Sequence, residues 1–220
     1  MKALIGSRGT VGTTLLEQTN FDAMYNSDSI ESMRGQSFDC VVCAAPSGSR
    51  LLINRDPAQD NHSIQQLKSV LATCKINKFI LCSTVDAVNY PGTPYGGNRR
   101  SLEQFAAQQF DTSVFRLSSL VGRHIKKNCL YDMQNGVYLE KINSSAVLQW
   151  NPLDQLWQDI CDHWDTAQIN LVSEPIAVDE INQRFFQLKI GTAPAPEYRD
   201  IQPYLYTKQE IFAAIERYLA

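Results

Sequence analysis

The stretch that decides the fold reads Lys2-Ala3-Leu4-Ile5-Gly6-Ser7-Arg8-Gly9-Thr10-Val11-Gly12. Four residues of strand composition run into a glycine turn, and the turn opens a helix whose inner face is expected to be Val11, Leu15 and Leu16. A dinucleotide pyrophosphate needs a tight turn, main chain with no side chain in the way, and the open N–H groups and positive end of a helix. Glycines at 6, 9 and 12, with Ser7, Arg8, Thr10 and Val11 between them, meet those needs in G-x-x-G-x-x-G spacing. The same glycines would also serve a purely structural purpose, letting a strand pack closely on a helix.

Outward from that turn, apolar runs of strand length recur at 22–26, 39–45, 78–84, 113–118 and 168–172, and most of the intervals carry helical periodicity. Ile64, Leu67, Leu71 and Cys74 fall on one helix face; so do Leu102, Phe105 and Ala106, and later Leu156, Trp157, Ile160, Cys161 and Trp164. Strands apolar on both faces belong to a parallel sheet with helices above and below, and right-handed crossovers then give a doubly wound α/β order. Between 124 and 150 polar breaks interrupt a few aromatics, which predicts a loop-rich insertion. A helix over 178–188 follows, then a linker signal at 191–196, then a closing helix with Thr207 and Glu210 at capping-box spacing ahead of Ile211, Phe212, Ile215 and Leu219.

Composition sets the bounds. With 220 residues, 44% hydrophobic and 20% charged, the chain is of ordinary globular make-up and long enough to fold without a metal or disulfide staple. Its 20 basic and 23 acidic residues form no like-charged block, so nucleic acid is not expected as a partner. The opening apolar run stops at Gly6, short of a leader's core and of the ~20 residues that span a bilayer, which predicts no membrane association and a cytoplasmic protein. The six cysteines sit mostly in apolar stretches and read as reduced thiols. Cys40 and Cys43 lack a second ligand pair, so no metal site is expected.

The second strand ends about 20 residues after the turn, where an acidic side chain would hold the adenosine ribose of NAD. Asn26 and Ser27 stand there instead. Neutral residues do not repel a 2′-phosphate, and Arg8 can pair with one, so NADP is preferred over NAD; the nearby Asp28 counts against that preference.

Four segments then carry a resemblance: Asp39-Cys40-Val41-Val42-Cys43-Ala44-Ala45, Phe79-Ile80-Leu81-Cys82-Ser83-Thr84, Tyr95-Gly96-Gly97-Asn98-Arg99 opening a helix, and Phe115 to Gly122. Together with the glycine turn they resemble the extended short-chain dehydrogenase/reductase family of nucleotide-sugar epimerases, dehydratases and reductases. The resemblance implies a Rossmann-type doubly wound parallel sheet with a small C-terminal substrate lobe. Residues 1–125 would form the NAD(P)-binding core, and residues 126–220 the last strand and helices plus an abbreviated substrate-binding lobe. It implies Ala44 and Ala45 along the cofactor, Tyr95 as acid/base, Thr84 or Ser83 as the hydroxyl partner, and Ser118 beside the nicotinamide where the family often has proline. Substrate contacts would include Asn128 and Trp150; the plainer alternative is that aromatics such as Trp150 plug the core of a small lobe. Pairing through the helix near 102–110 would make a homodimer.

Arg99 stands where the family's Tyr-x-x-x-Lys motif has lysine. A guanidinium is larger, stays protonated and cannot relay a proton as an ammonium can. Two functions follow from the resemblance: an NAD(P)-dependent oxidoreductase or epimerase acting on a nucleotide sugar, or a catalytically inactive NAD(P)-binding module serving as redox sensor or partner subunit.

Overall fold

A computed structural model describes residues 1–46, 48–192, 194 and 197–220. In chain order the elements are β1 (Lys2–Ile5), α1 (Thr10–Gln18), β2 (Ala23–Tyr25), β3 (Ser37–Cys43), α2 (Arg50–Arg55), α3 (Ala58–Leu71), β4 (Lys75–Thr84), α4 (Asp86–Asn89), α5 (Pro94–Gln109), β5 (Thr112–Leu117), β6 (Ser119–Val121), α6 (Cys129–Asn135), β7 (Val147–Leu148), β8 (Trp150–Pro152), α7 (Leu156–Asp162), β9 (Gln168–Leu171), β10 (Ile176–Ala177), α8 (Val178–Phe185) and α9 (Lys208–Leu219). Of the linker expected at 191–196, Ala193, Ala195 and Pro196 lie outside the described residues.

Six strands form one sheet in the order β2-β1-β3-β4-β5-β9. β1 pairs in parallel with β2 on one side and β3 on the other, Ile5 lying opposite both Tyr25 and Cys43, and β3 continues in parallel to β4. The chain therefore winds outward in both directions from β1. Such a reversal leaves a crevice at the carboxyl ends of the two strands, which is where open α/β sheets bind ligands. The fold is the α/β Rossmann type, as the alternation of strand and helix patterns predicts. β3 and β4 show why: Val41, Val42, Phe79 and Ile80 are all fully buried, although neighbours along a strand point to opposite faces, so both faces are covered.

The chain clusters into two compact units, Met1–Arg116 with Leu156–Ile169, and Leu117–Gln155 with Asn170–Ala220. In the first, α1 packs with α7, while α2 and α3 pack with α5. Leu15 is the buried apolar residue of α1, whereas Leu16 is 37% exposed; the inner face runs through Gly12 and Leu15 because the glycine brings that side of the helix against the turn. Leu102 and Ala106 of α5 are buried in their own unit's core, and Phe105 packs on it.

The second unit holds two small sheets, β6 parallel to β8 and β7 antiparallel to β10. The stretch over 124–150 is more ordered than its composition suggests. It contains α6, which Asn128 caps by accepting the Tyr131 N–H at 2.9 Å and which Gly136 ends in the left-handed conformation at φ 65°. Both are ordinary helix boundary signals. At the other end of the unit the capping box of α9 forms as its spacing predicts, with Thr207 and Glu210 exchanging bonds.

One buried polar network fixes α5 on the sheet. Glu103 takes a forked bond from Arg116 of β5, with Nη2 to Oε2 at 2.8 Å and Nε to Oε1 at 3.0 Å, and accepts the Ser83 hydroxyl of β4. Breaking such a pair strands a buried charge. Glu103→Ala is expected to lower the free energy of unfolding by about 3 kcal/mol in a urea titration, and an unchanged midpoint would contradict this role.

Candidate functional site

The site is built first by the turn between β1 and α1. Gly6 has φ 89°, its N–H donates to the Tyr25 carbonyl at 2.8 Å, and its own carbonyl accepts the Gly9 N–H at 3.0 Å. A β-carbon at Gly6 would lie 2.7 Å from the Ala44 carbonyl oxygen, and one at Gly12 would lie 2.1 Å from the Gly6 carbonyl oxygen. Real β-carbons do not come so close, so the backbone path itself demands these two glycines. Gly9 is different. Its φ is −80°, and a β-carbon there would meet only the Gly6 oxygen, at 3.4 Å. It precedes α1 as N-cap, and among the described residues no side chain caps that helix.

A turn whose middle glycine is dispensable to the fold, opening an uncapped helix N-terminus at the sheet's crevice, fits a phosphate group: the bare position is the one a ligand would approach. Ala44 and Ala45 follow β3 at the same edge, with the Ala44 N–H on the Ile5 carbonyl at 2.8 Å. Ser7 lies in the turn, where its carbonyl accepts the Thr13 hydroxyl at 3.4 Å, and Thr10 and Val11 form the first turn of α1.

At the end of β2, Asn26 accepts the Asp28 N–H at 2.9 Å, and Ser27 donates to the Asp28 carboxylate at 3.3 Å. That carboxylate forms an ion pair with Arg8, both side chains about two-thirds exposed. The hydrogen bond and charge of Arg8 hold the Asp28 carboxyl below its ordinary range. The acid absent from positions 26 and 27 thus enters from position 28, already bound to the cation on which the NADP preference rests.

The second component stands at the end of β4 and the start of α5. Thr93 caps α5, accepting the Gly96 N–H at 3.1 Å, Pro94 begins it, and the Tyr95 N–H donates to Asn54 of α2 at 2.9 Å. A β-carbon at Gly96 would lie 2.2 Å from the Tyr90 carbonyl oxygen, so this glycine lets α4 pack against the helix start. Tyr95 is 8% exposed, and Thr84 lies beside its phenol. The Arg99 guanidinium lies over its ring, Cζ to centroid 4.6 Å. Two Arg99 N–H groups fork onto the Asp60 carboxylate of α3 at 2.9 and 3.0 Å. Asp86, buried at the start of α4, pairs with Arg50 of α2 at 3.0 Å.

Burial is the main influence on the Tyr95 phenol and raises its pKa above the usual tyrosine value. Asp86 pushes the same way, while Arg99, Thr84 and Arg50 pull back without reversing it. The phenol is therefore protonated at neutral pH. Of the two candidate hydroxyls, Ser83 donates to Glu103, and Thr84 neighbours Tyr95.

Tyr95, Thr84 and Arg99 thus gather at one place in the first unit, while the glycine turn borders Ala44 in that unit too. The remaining predicted residues lie in the second unit. Ser118 donates to the Leu171 carbonyl at 3.0 Å. Asn128 also donates to the Leu120 carbonyl at 2.8 Å. Trp150 is fully buried, and its indole N–H has no hydrogen-bond partner among the described residues. Sequence reasoning missed Asp60, Asp86 and Arg50. Asp60 carried a signal: it stands in phase with Ile64, Leu67 and Leu71 on the buried stripe of α3, where a carboxylate needs a partner.

No protein-family model matches the chain, and no curated protein matches it. Solved structures do. UDP-glucose 4-epimerase of Thermotoga maritima, solved with UDP-glucose, superposes with a TM-score of 0.70 at 16% identity over 93% of this chain and 90% of its own. A UDP-glucuronic acid 4-epimerase mutant of Bacillus cereus, solved with a fluorinated UDP-sugar and NAD, gives 0.66 at 14% over 88% and 85%. A dTDP-glucose 4,6-dehydratase mutant of Streptomyces venezuelae, solved with NAD, gives 0.66 at 12% over 84% and 79%. These likenesses establish the fold.

The two kinds of glycine are separable by experiment. Gly12→Ala forces apart a packed contact and is expected to cost about 2 kcal/mol or more in thermal unfolding. Gly9→Ala is expected to melt within a degree or two of the parent yet weaken NADH binding by about tenfold in fluorescence titration, corresponding to about 1.4 kcal/mol. Equal NADH affinity in Gly9→Ala and the parent would contradict the cradle.

Proposed function

We propose that the chain is a nicotinamide-dinucleotide-dependent oxidoreductase or epimerase of nucleotide sugars, with Tyr95 as its acid/base. The observation that carries this reading is the buried Tyr95 phenol, beside Thr84 at the end of β4 and covered by the Arg99 guanidinium. Support comes from the glycine cradle and from solved structures of the same fold that hold NAD and UDP-sugars.

Gly6, Ser7, Gly9, Thr10 and the start of α1 would hold the pyrophosphate, with Ala44 and Ala45 beside the dinucleotide. The bound cofactor supplies or accepts a hydride. Tyr95 holds the proton that a substrate carbonyl oxygen takes up as its carbon becomes an alcohol carbon, and Thr84 donates a hydrogen bond to that oxygen. Arg99 offsets the negative charge left on the phenolate. Burial and Asp86 raise the phenol's pKa, so the resting side chain carries its proton at neutral pH, and Arg99 is the cation that would ease its loss to the substrate oxygen. Epimerisation would need the same residue to take the proton back.

The Arg8–Asp28 pair is the point of cofactor choice. NADP would have to draw Arg8 away from Asp28, whereas NAD leaves the pair intact and offers its ribose hydroxyl to the carboxylate. One observation favours the rival reading of a binding module without turnover: Arg99 is engaged by Asp60.

The test is to mix the protein with NADH or NADPH and a panel of UDP- and dTDP-linked sugars and keto-sugars, following the nicotinamide absorbance and the sugar products. Tyr95→Phe is expected to keep cofactor affinity and to lose turnover by about a thousandfold. Retained turnover in that variant would discard the assignment, and cofactor binding without turnover by the parent would favour the module. The reductive rate should stay level through neutral pH and fall only as the phenol ionises, above the ordinary tyrosine value of about 10, because the shift is upward. An acid-shifted fall would contradict the buried, protonated Tyr95. Asp28→Asn, which frees Arg8, is expected to shift the NADPH-to-NADH affinity ratio about tenfold toward NADPH; an unchanged ratio would remove the pair from cofactor choice.

A further inference from the structure

Asp60 lies one helix away from the tyrosine and has no place in the chemistry so far. Its carboxylate is nearly as buried as any charged group in the first unit, 7% exposed, and its partner Arg99 is 5% exposed. The contact is two-pronged, Nη1 to Oδ2 at 2.9 Å and Nη2 to Oδ1 at 3.0 Å, and Asn98 adds a further donor to Oδ2 at 2.8 Å. The other buried carboxylate beside the tyrosine, Asp86, is occupied by Arg50.

We propose that Asp60 is a positioning residue, whose forked bond to Arg99 holds the guanidinium on the face of the Tyr95 ring. The physical grounds are geometric. A guanidinium has long, rotatable attachment and reaches solvent readily unless a buried anion retains it. Two parallel N–H bonds to one carboxylate fix its plane as well as its position, which a single-point ammonium contact cannot do. Plane and position together are what a cation needs to lie on an aromatic face at 4.6 Å. The presence of arginine at position 99 then has a local cause: the carboxylate at 60 presents two oxygens, and the residue opposite presents two donors. The α3 stripe supports the carboxylate from below, since Ile64, Leu67 and Leu71 are buried on the same face.

The consequence for catalysis rests on the acid/base assignment of Tyr95; the positioning itself does not. The experiment therefore reads position directly. In nitrogen-15 labelled protein, the Arg99 Nε–H resonance, identified by its loss in Arg99→Gln, is expected to be displaced by the Tyr95 ring current and slow to exchange with solvent. Asp60→Asn, which replaces one acceptor by a donor, should return that resonance toward the ordinary arginine position and speed its exchange at least tenfold. Asp60→Glu, which keeps the charge but moves the fork by one methylene, should do the same in part, and it provides the readout if the asparagine variant fails to fold. Asn98→Ala, which removes the other donor to Asp60, should leave the signal in place.

An Arg99 resonance unmoved in a folded Asp60→Asn or Asp60→Glu protein would overturn the proposal. Where turnover exists, Asp60→Asn should lower kcat at least tenfold with little change in cofactor KM, and should add nothing to Arg99→Gln. Additive losses would likewise overturn it. A protein that shows the resonance shift but no turnover in any form would keep the positioning role and reject the enzymatic reading, so the two fail separately.

Discussion

The Gly6 carbonyl leaves no room for any side chain at Gly12, and the Ala44 carbonyl leaves none at Gly6. That double contact ties the end of β1, the start of α1 and the end of β3 into one corner. The positive end of a nine-residue helix then stands at the place where the winding of the sheet reverses. Everything proposed for a dinucleotide depends on this corner. The fold consumes the freedom of the outer two glycines, while the middle one has ordinary backbone and ordinary space.

At the end of β4, on the same carboxyl edge of the sheet as the end of β3, the protonation of Tyr95 is decided by a contest between burial and charge. Removing a phenol from water favours its neutral form, and Asp86 adds to that. Arg99, Thr84 and Arg50 oppose it but do not prevail. A lysine in a Tyr-x-x-x-Lys motif would be a mobile point charge. The arginine in its place is buried, forked onto Asp60 and laid on the ring. A guanidinium so held cannot relay a proton, yet it can stabilise the phenolate that remains after one has been given.

Much of this was legible before any coordinates. The strand at 2–5 has the bounds read from its composition, the later strands lie within a few residues of theirs, and Thr207 with Glu210 makes the capping box that its spacing announces. These features are local: alternation, periodicity and turn chemistry determine them. Others were signalled but outweighed by composition. Asn128 and Gly136 bracket α6 with an N-cap and a left-handed C-terminal residue, inside a stretch whose polar breaks suggested loop. Leu16 follows helical spacing yet faces outward, because Gly12 sets which side of α1 meets the turn. The choice between Ser83 and Thr84 was not legible at all. It turns on Glu103, 20 residues away, which takes the serine hydroxyl into the Arg116 network. Contacts between distant segments of this kind leave no periodic trace in a single chain, although a carboxylate in phase with an apolar stripe, as at Asp60, announces that one exists.

The central claim is that the corner at residues 6–12 binds a nicotinamide dinucleotide. Calorimetric titration of NADH and NADPH into the protein tests it most directly. A saturable heat corresponding to one cofactor per chain, abolished by competing free pyrophosphate-bearing nucleotide, is the predicted result. No heat with either cofactor at concentrations far above those of ordinary dinucleotide enzymes would contradict it.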